Sequence, residues 1–311
     1  MDGHCDAVDI AAFLTAMAAK GADADELAGA ARAMRARVSR IATRRSPLLD
    51  TCGTGGDQLH TFNISTATAI VAAACGVHVA KHGNRSVSSS SGSADVLEAL
   101  RVNISLSADD AGRCLDEIGI AFCFAPMLHG AMKYAAPIRK QLGFPTIFNM
   151  LGPLTNPAGA EYQLLGASSN AKAELLATAL SRLGGKCALV VCGNDQLDEV
   201  CLWGPTTVFE VAGGQLTRHQ WLPEDFGIEP CDVSQLTVRN ASESAAVIRS
   251  VLAGNPSPAT SIVIANTAAA LLACRCSQDL ISAVRRVREV LKSGAASEKL
   301  NQLVHWTNQT I

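Results

Sequence analysis

A glycine-rich turn near the start of the chain has the composition of a phosphate-binding loop. The sequence GTGGD (53–57) follows a short apolar segment and precedes NIST (63–66), which opens an apolar helix. A turn without side chains lets backbone N–H groups approach phosphate oxygens, and a helix that begins at Ser65 or Thr66 adds a positive dipole end. The alternative is a structural turn with a capping hydroxyl. The spacing excludes a Walker A motif and a dinucleotide fingerprint.

A second loop, KHGNRSVSS (81–89), offers two cations, an amide and several hydroxyl groups, and GS (92–93) follows it before the helical pattern ADVLEAL. These groups are donors suited to a polyanion, although a solvated loop has a similar composition. Two such loops within about forty residues favour phosphate binding by both.

Two further features could serve a phosphorylated substrate. Asp198 and Glu199 are adjacent carboxylates after an apolar run, and Mg²⁺ binds through one or two carboxylates together with substrate phosphates. In isolation the pair could also be a solvated acidic turn. Arg139, in AAPIRKQLG, has a fork geometry suited to a carboxylate, but alone it could equally be a surface arginine.

The elements that must position these residues alternate along the chain. Short apolar strands, glycine-rich turns and alanine-rich helices follow one another after residue 47, which predicts an α/β fold with a mostly parallel central sheet. Strand candidates are LLDTC, VHVAK, IAFCF (120–124), QLLGA (163–167), CALVVC (187–192) and TVFEV (207–211). Helical periodicity covers 9–20, 24–38, 171–183, 243–253, 265–273, 280–293 and 296–305.

The first helices form a hairpin, and the stretch up to Pro157 carries helix and turn signals without strand alternation. We therefore expect a discontinuous small helical domain, residues 1–46 and 128–157. It would pack on a larger α/β domain, residues 47–127 and 158–311, with a ligand in the cleft between them.

Composition excludes several classes of protein. The 311 residues include 26 Lys+Arg and 28 Asp+Glu, so the net charge of -2 disfavours a nucleic-acid or membrane-surface partner. The longest apolar stretches, 66–80 and 259–274, are too short to cross a bilayer, and His78 and Asn266 interrupt them. The acidic start has no signal-peptide pattern, and eleven cysteines lie scattered without a CxxC pair. A cytoplasmic protein without membrane or nucleic-acid partners is expected.

Taken in order, the motifs DTCGTGGD, FNIST, KHGNRSVSS, GSADVLEAL, APIRKQLG with FNMLGPLTNP, and LDEV resemble the anthranilate phosphoribosyltransferase family. The resemblance runs from about residue 9 to the C-terminal helices. It implies transfer of the phosphoribosyl group of 5-phosphoribosyl 1-diphosphate (PRPP) to the amine of anthranilate, with release of pyrophosphate, in tryptophan biosynthesis. It also implies Mg²⁺ as cofactor and a homodimer joined through the small helical domains.

The resemblance further implies roles for individual residues. Anthranilate would contact Gly53, Asn84 and Arg139, with His82 and Gly152 lining its path. Mg²⁺ would be held by Ser65, Asp198 and Glu199. No residue is assigned as a general base, because an aryl amine is already neutral at pH 7. The PRPP pocket would comprise Gly53, Gly56, Asp57, Thr61, Asn63, Ser65, Thr66, Lys81, His82, Gly83, Asn84, Arg85, Ser86, Val87, Ser88, Ser89 and Ser93.

Three features depart from the family pattern: a shorter N-terminal helical region, Gln58 where glycine is frequent, and Arg101 where glycine often follows the EAL helix. Two alternative functions stay open. A pyrimidine nucleoside phosphorylase-like enzyme would share the architecture but needs a different Lys-Ser loop and no paired carboxylates. A nucleic-acid-binding paralogue of the family is disfavoured by the balanced charge and by Asp198-Glu199.

Overall fold

The computed structural model of the chain describes residues 3–85 and 92–309. Within these ranges seven strands form one sheet in the order β3-β2-β1-β4-β5-β6-β7. Strands β1 to β5 pair in parallel, while β6 and β7 extend one side antiparallel. The predicted mostly parallel α/β sheet is confirmed. The strands are β1 (Leu48–Asp50), β2 (His78–Gly83), β3 (Ile120–Phe124), β4 (Tyr162–Gly166), β5 (Cys187–Gly193), β6 (Thr206–Ala212) and β7 (Gln215–Trp221).

Helices precede, connect and follow these strands. No helix in the described ranges is long and apolar enough to cross a membrane. The helices are α1 (Ala7–Lys20), α2 (Ala24–Arg35), α3 (Ile64–Ala74), α4 (Ser93–Ala99), α5 (Ala108–Ile118), α6 (Ala125–Leu128), α7 (Ala136–Leu142), α8 (Phe148–Leu151), α9 (Asn170–Leu183), α10 (Ala241–Leu252), α11 (Pro258–Ala273), α12 (Leu280–Lys292) and α13 (Ala295–Gln309).

The core divides between the two faces of the sheet because successive strand residues point to opposite sides. Leu164 and Leu189 join a cluster with α3, α11 and α12. Their neighbours Leu165 and Val190 join a second cluster with α1, α2, α9 and the segment 147–154. The N-terminal helices and the later helical segment therefore share one apolar core, forming a small helical region against the sheet. The exact boundaries of the two predicted domains stay a prediction.

The strand order places the functional loops together. The chain runs outward from β1 to β3 on one side and from β4 to β5 on the other, so its direction reverses between β1 and β4. In open parallel sheets, ligands bind outside the carboxyl ends of the strands at such a switch point. The loops after β1, β2 and β5, which hold the predicted phosphate and metal residues, all leave from this edge.

Several element boundaries differ from the expectations. Helix α3 begins at Ile64 and is capped by Asn63, whose side chain accepts from the Thr66 amide at 3.0 Å; the predicted start at Ser65 or Thr66 is wrong. Helix α11 begins seven residues before the predicted 265, at Pro258 with Ser257 as its cap. Helix α5 and strand β7 were not predicted. Strand β7 is exposed along nearly its whole length. Its sequence therefore lacks the alternation of apolar and polar residues by which a half-buried strand is recognised.

The two substitutions at family glycine positions lie in left-handed backbone. Gln58 has φ 60 and Arg101 has φ 71. This region of backbone conformation favours glycine, because glycine has no Cβ. Arg101 follows the last turn of α4, where its amide donates to Glu98 O at 2.8 Å and the Val102 amide donates to Leu97 O at 2.9 Å. This is a Schellman ending, whose left-handed residue is usually glycine.

We expect Arg101→Gly to raise the free energy of unfolding by about 0.5 to 1 kcal/mol, because it removes the left-handed strain of an exposed side chain. Urea unfolding of the two proteins measures the change. Arg101→Ala keeps a Cβ and should show no comparable gain. A destabilised glycine variant, or an equal gain from alanine, contradicts this explanation.

Candidate active site

The loop after β1 meets the loop after β5 through the Asp198 carboxylate. The Gly55 amide donates to Asp198 Oδ2 at 2.7 Å, and the Thr54 amide donates to Gly166 O at 2.9 Å. A Cβ on Gly53 would lie 2.7 Å from Asp198 Oδ2. A Cβ at position 53 would displace the Asp198 carboxylate, so its close approach favours glycine there. The same carboxylate connects the predicted phosphate loop to the predicted metal loop.

Lys81 lies buried between the same loop and helix α3. Its Nζ donates to Thr51 O at 3.1 Å and to Ser65 Oγ at 3.1 Å, and only 3% of the residue is exposed. The Ser65 backbone and the Lys81 charge both favour the ionised Glu199 carboxylate, which partly opposes the rise of its pKa. A buried ammonium needs hydrogen bonds and nearby negative charge, and Lys81 has both. The structure thus brings together Lys81, Ser65 and Glu199 from three separate motifs.

Negative charge accumulates at this point. Burial raises the pKa of Asp198 to about 7, with repulsion from Asp57 as the next cause. Burial and the neighbouring Asp198 raise the pKa of Glu199 well above its ordinary value, although Lys81 partly offsets the effect. A divalent cation would relieve this repulsion. Two carboxylates and the Ser65 hydroxyl are hard oxygen ligands of the kind Mg²⁺ prefers, so the residues fit that ion.

The start of α3 is held by residues from the C-terminal part of the chain. The Asn63 amide donates to Ser244 Oγ at 2.9 Å. Phe62 bonds to Leu236 O at 2.9 Å, and Thr61 forms an isolated bridge with Thr237. The predicted residues Thr61 and Asn63 are therefore positioned by a segment that the sequence did not mark as functional.

His82 connects the end of β2 to the helical region. Its Nδ1 lies 2.9 Å from Gly152 O and its Nε2 lies 3.1 Å from His129 Nε2. Burial lowers the pKa of His82 to about 3 and that of His129 to about 4, so both rings are neutral at pH 7. Because a carbonyl only accepts, His82 must carry its proton on Nδ1, and the His129 Nε2–H then donates to His82.

A second connection uses a buried carboxylate at the end of β1. Asp50 accepts from the His82 amide at 3.0 Å and from Asn156 Nδ2 at 2.8 Å. Burial raises the pKa of Asp50 to about 6. Asn156 also donates to Ala80 O at 2.8 Å, so one amide joins the segment 128–157 to β1 and β2. Neither Asp50 nor Asn156 was predicted as a site residue. The sequence feature that could have identified them is a single polar residue at the border of an apolar run.

The ligand atoms of Asp50, Cys52 and His82 lie within 4.8 Å of one another. Both Asp50 oxygens and His82 Nδ1 already have partners, and burial raises the pKa of the Cys52 thiol. This cluster therefore does not fit a metal.

The two predicted arginines differ in their surroundings. Arg85 bonds to Asp95 at 3.0 Å and to Glu98 at 2.6 Å, so a phosphate would compete with two carboxylates for its guanidinium. Arg139 lies over the Phe148 ring at 5.2 Å and donates to Asn149 Oδ1 at 3.4 Å. Burial lowers its pKa, and no carboxylate in the described ranges forms a salt bridge with it.

The remaining predicted residues surround the same edge. A Cβ on Gly83 would meet the Phe122 ring at 2.7 Å and Ser93 Cβ at 3.1 Å. Gly56 has φ 78, and nothing lies within 4 Å of the position that a Cβ would occupy there. The Thr66 hydroxyl is buried with no partner in the described ranges. The predicted residues Ser86, Val87, Ser88 and Ser89 lie outside the described residues.

A cavity of about 470 Å³ lies elsewhere, at the amino edge of β4 and β5, lined by residues that include Arg35, Glu161 and Cys187. None of the predicted site residues lines it, although Asn156 of the buried polar network does. The site is therefore the open carboxyl edge rather than this cavity.

Family models now define the class of the protein. The helical bundle domain of the glycosyl transferase family matches residues 1–38, and the a/b domain of that family matches residues 45–297. The chain is therefore a glycosyltransferase. It has the helical bundle and the α/β domain of that family, and the candidate phosphate site lies at the carboxyl edge of the sheet.

Individual relatives narrow the class. Anthranilate phosphoribosyltransferases of Desulfatibacillum aliphaticivorans and Thioalkalivibrio sulfidiphilus are 48% and 49% identical, over 99% of this chain and 91% of each relative. The crystal structure of the Thermus thermophilus enzyme of that name is 40% identical with a TM-score of 0.92, covering 98% of this chain and 92% of that one. The chain belongs to the anthranilate phosphoribosyltransferase family, and the resemblance stated from its motifs is confirmed.

The buried histidine pair predicts a pH effect on stability. In the folded protein the pKa of His82 is about 3 and that of His129 is about 4, both below the ordinary 6.5. Below pH 6.5 the unfolded chain therefore binds more protons at these two residues than the folded chain does. Each histidine's contribution is complete above pH 6.5 and is lost as the pH falls toward the folded pKa. Between pH 7 and pH 5, wild type should lose about 1 to 2 kcal/mol more unfolding free energy than His129→Gln, which keeps an N–H donor for His82.

Urea unfolding of both proteins at the two pH values measures this difference. Carboxyl groups with raised pKa values act in the opposite direction in both proteins, so the comparison isolates the histidine. If the unfolding free energies of wild type and His129→Gln change with pH in parallel, burial does not keep His129 neutral.

Proposed function

We propose that the chain transfers the phosphoribosyl group of PRPP to the amine of anthranilate and releases pyrophosphate, in tryptophan biosynthesis. The observation that carries the proposal is the meeting of the glycine loop, buried Lys81 and the Asp198-Glu199 pair at one sheet edge. Related enzymes support it. A Saccharomyces cerevisiae anthranilate phosphoribosyltransferase, 29% identical with a TM-score of 0.91, was solved with PRPP and Mg. A second structure of it, 28% identical, holds 4-fluoroanthranilate.

In this proposal the diphosphate of PRPP binds to the amides of the loop 53–57 and to the amino end of α3. Asp198, Glu199 and Ser65 hold Mg²⁺, which supplies positive charge to the departing diphosphate. Lys81 keeps Ser65 Oγ and Thr51 in place while it balances the Glu199 charge. Arg85 would have to leave its carboxylate partners to contribute to this pocket.

The reaction breaks the bond between the anomeric carbon and the diphosphate oxygen, and both electrons leave with pyrophosphate. The anthranilate nitrogen forms the new bond with its lone pair and afterwards loses a proton to solvent. Stabilising the departing negative charge is the main task of the site, since the amine needs no prior deprotonation. Neutral His82 and His129 fit this chemistry because they add no positive charge beside a ribosyl centre that becomes cationic.

Arg139 is the proposed ligand of the anthranilate carboxylate. Its charge has no carboxylate partner in the described ranges, and the Phe148 ring and Asn149 hold its guanidinium. An aromatic acid could pair with the fork while Gly53, Asn84, His82 and Gly152 border its path. A pyrimidine nucleoside phosphorylase-like activity is less consistent with the site, since phosphorolysis gives no role to Asp198 and Glu199.

We also propose a homodimer through the small helical region and a cytoplasmic location. Two apolar side chains of α1 are largely exposed, Val8 at 75% and Phe13 at 58%, and Tyr134 of the later helical segment is 39% exposed. A second copy would cover these surfaces. All eleven cysteines are free thiols, as is typical of a reducing compartment.

The metal assignment predicts that Asp198→Asn combined with Glu199→Gln lowers Mg²⁺-dependent turnover more than about a hundredfold, because the variant keeps neither carboxylate. Pyrophosphate release from PRPP and anthranilate measures it. The fold should persist, since the substitutions remove repelling charges. Asp195→Asn, an exposed carboxylate in the same loop, is the matched control and should stay active. Full activity of the double variant in EDTA contradicts the assignment.

The acceptor assignment predicts that Arg139→Ala lowers kcat/KM for anthranilate by about ten- to a hundredfold, the effect of losing one charge-assisted contact. Arg139→Lys should recover part of the loss, because a point charge cannot reproduce a bidentate fork. Lys140→Ala, the neighbouring exposed cation, should change nothing.

Steady-state kinetics with each substrate varied in turn separate the two sites. The KM for PRPP should stay nearly unchanged in Arg139→Ala. Normal use of anthranilate by this variant, or a defect mainly in PRPP affinity, would remove Arg139 from the acceptor site.

A further inference from the structure

A buried amide holds the backbone next to the proposed metal ligands. Asn266 lies in the middle of α11 with 0% exposure. Its Oδ1 accepts from the Val200 amide at 2.9 Å, and its Nδ2 donates to Val200 O at 2.9 Å. Nδ2 also donates to Ile262 O at 2.9 Å. The side chain therefore pairs with both backbone groups of the residue that follows Glu199.

We infer that Asn266 is a positioning residue that fixes the Asp198-Glu199 pair for metal binding, an inference that rests on the proposed function. Residues 198–200 lie between β5 and β6 without regular secondary structure. Val200 is fully buried, and its backbone groups would be costly to leave unpaired. The reciprocal pair of hydrogen bonds replaces the neighbouring strand that this segment lacks.

The hydrogen bonds between Asn266 and Val200 also affect the neighbouring carboxylates of Asp198 and Glu199. Asp198 and Glu199 lie in a segment without regular secondary structure, and the Asp198 carboxylate accepts from the Gly55 amide of another loop at 2.7 Å. The position of the pair therefore depends on how the backbone of this segment is fixed. The Asn266 bonds fix it from the protein interior, one residue away from Glu199.

The helix that carries Asn266 also contacts the helix that carries the third proposed ligand. Helix α11 is buried along most of its length and packs directly on α3. Helix α3 carries Ser65, whose hydroxyl is the third proposed ligand and accepts from Lys81 Nζ at 3.1 Å. Asn266 therefore connects the carboxylate loop to the same helix pair that carries this hydroxyl.

A merely structural asparagine would affect stability alone. A positioning asparagine must also affect metal affinity in the folded protein, and substitutions around metal ligands typically lower that affinity by about 10- to 100-fold. The loss should appear mainly as a higher requirement for Mg²⁺ and a higher KM for PRPP. Raising the Mg²⁺ concentration should restore much of the rate.

The experiment measures Mn²⁺ binding to the full chain in the presence of inorganic pyrophosphate, by electron paramagnetic resonance of the free ion. Asn266→Ala should bind Mn²⁺ about 10- to 100-fold more weakly. Hydrogen exchange of the Val200 amide should accelerate. Asn266→Asp keeps the size but places an oxygen against Val200 O and Ile262 O, so it should weaken binding as well. Thr267→Val, which removes a neighbouring buried hydroxyl without a partner in the described ranges, should bind normally.

Wild-type Mn²⁺ affinity in folded Asn266→Ala overturns the inference, and if the alanine variant does not fold, wild-type affinity in Asn266→Asp overturns it equally. Wild-type protein that binds no Mn²⁺ with pyrophosphate overturns both the metal assignment and this role of Asn266. Wild-type protein that binds Mn²⁺ but does not consume anthranilate contradicts the proposed function alone, and the expected loss in Asn266→Ala would still support the inference.

Discussion

The hydrogen bond from the Gly55 amide to the Asp198 carboxylate joins two loops that are 143 residues apart in the chain. The same carboxylate lies so close to residue 53 that a Cβ there would displace it. The same contact places the amides of the glycine loop beside the carboxylates. A phosphate group and its metal ion can then share one site, which is the arrangement that Mg²⁺ chemistry on phosphates requires.

The structure around the site places two neighbouring carboxylates among groups that stabilise them. The Lys81 charge partly offsets that of Glu199, and Asn266 fixes the backbone of the next residue, Val200. We propose that these contacts arrange the site before a ligand enters. The helical region is attached to the same strands through His82 with Gly152 and through Asp50 with Asn156. The proposed donor and acceptor sites are thereby connected by short, buried hydrogen bonds, and positioning of this kind can supply a large part of a rate enhancement.

The sequence was most informative where chemistry depends on local residue types. The glycine loop, KHGNR and Asp198-Glu199 were recognisable because their composition is unusual, and the strand-loop-helix pattern predicted the mostly parallel sheet at whose edge they meet. Residues that act at long range gave little signal. Ser244 pairs with Asn63, 181 residues away, and neither flanking sequence indicates the contact. Asn266 showed only as an interruption of an apolar stretch, and the pairing of Arg85 with α4 depends on a turn geometry that composition does not determine.

The most direct test of the account follows both products of the reaction at once in wild-type protein with PRPP, anthranilate and Mg²⁺. We predict that pyrophosphate release and anthranilate consumption proceed at equal rates, and that both stop when either PRPP or anthranilate is withheld. Pyrophosphate release that ignores anthranilate would contradict the central claim. So would unconsumed anthranilate together with phosphorolysis of a pyrimidine nucleoside.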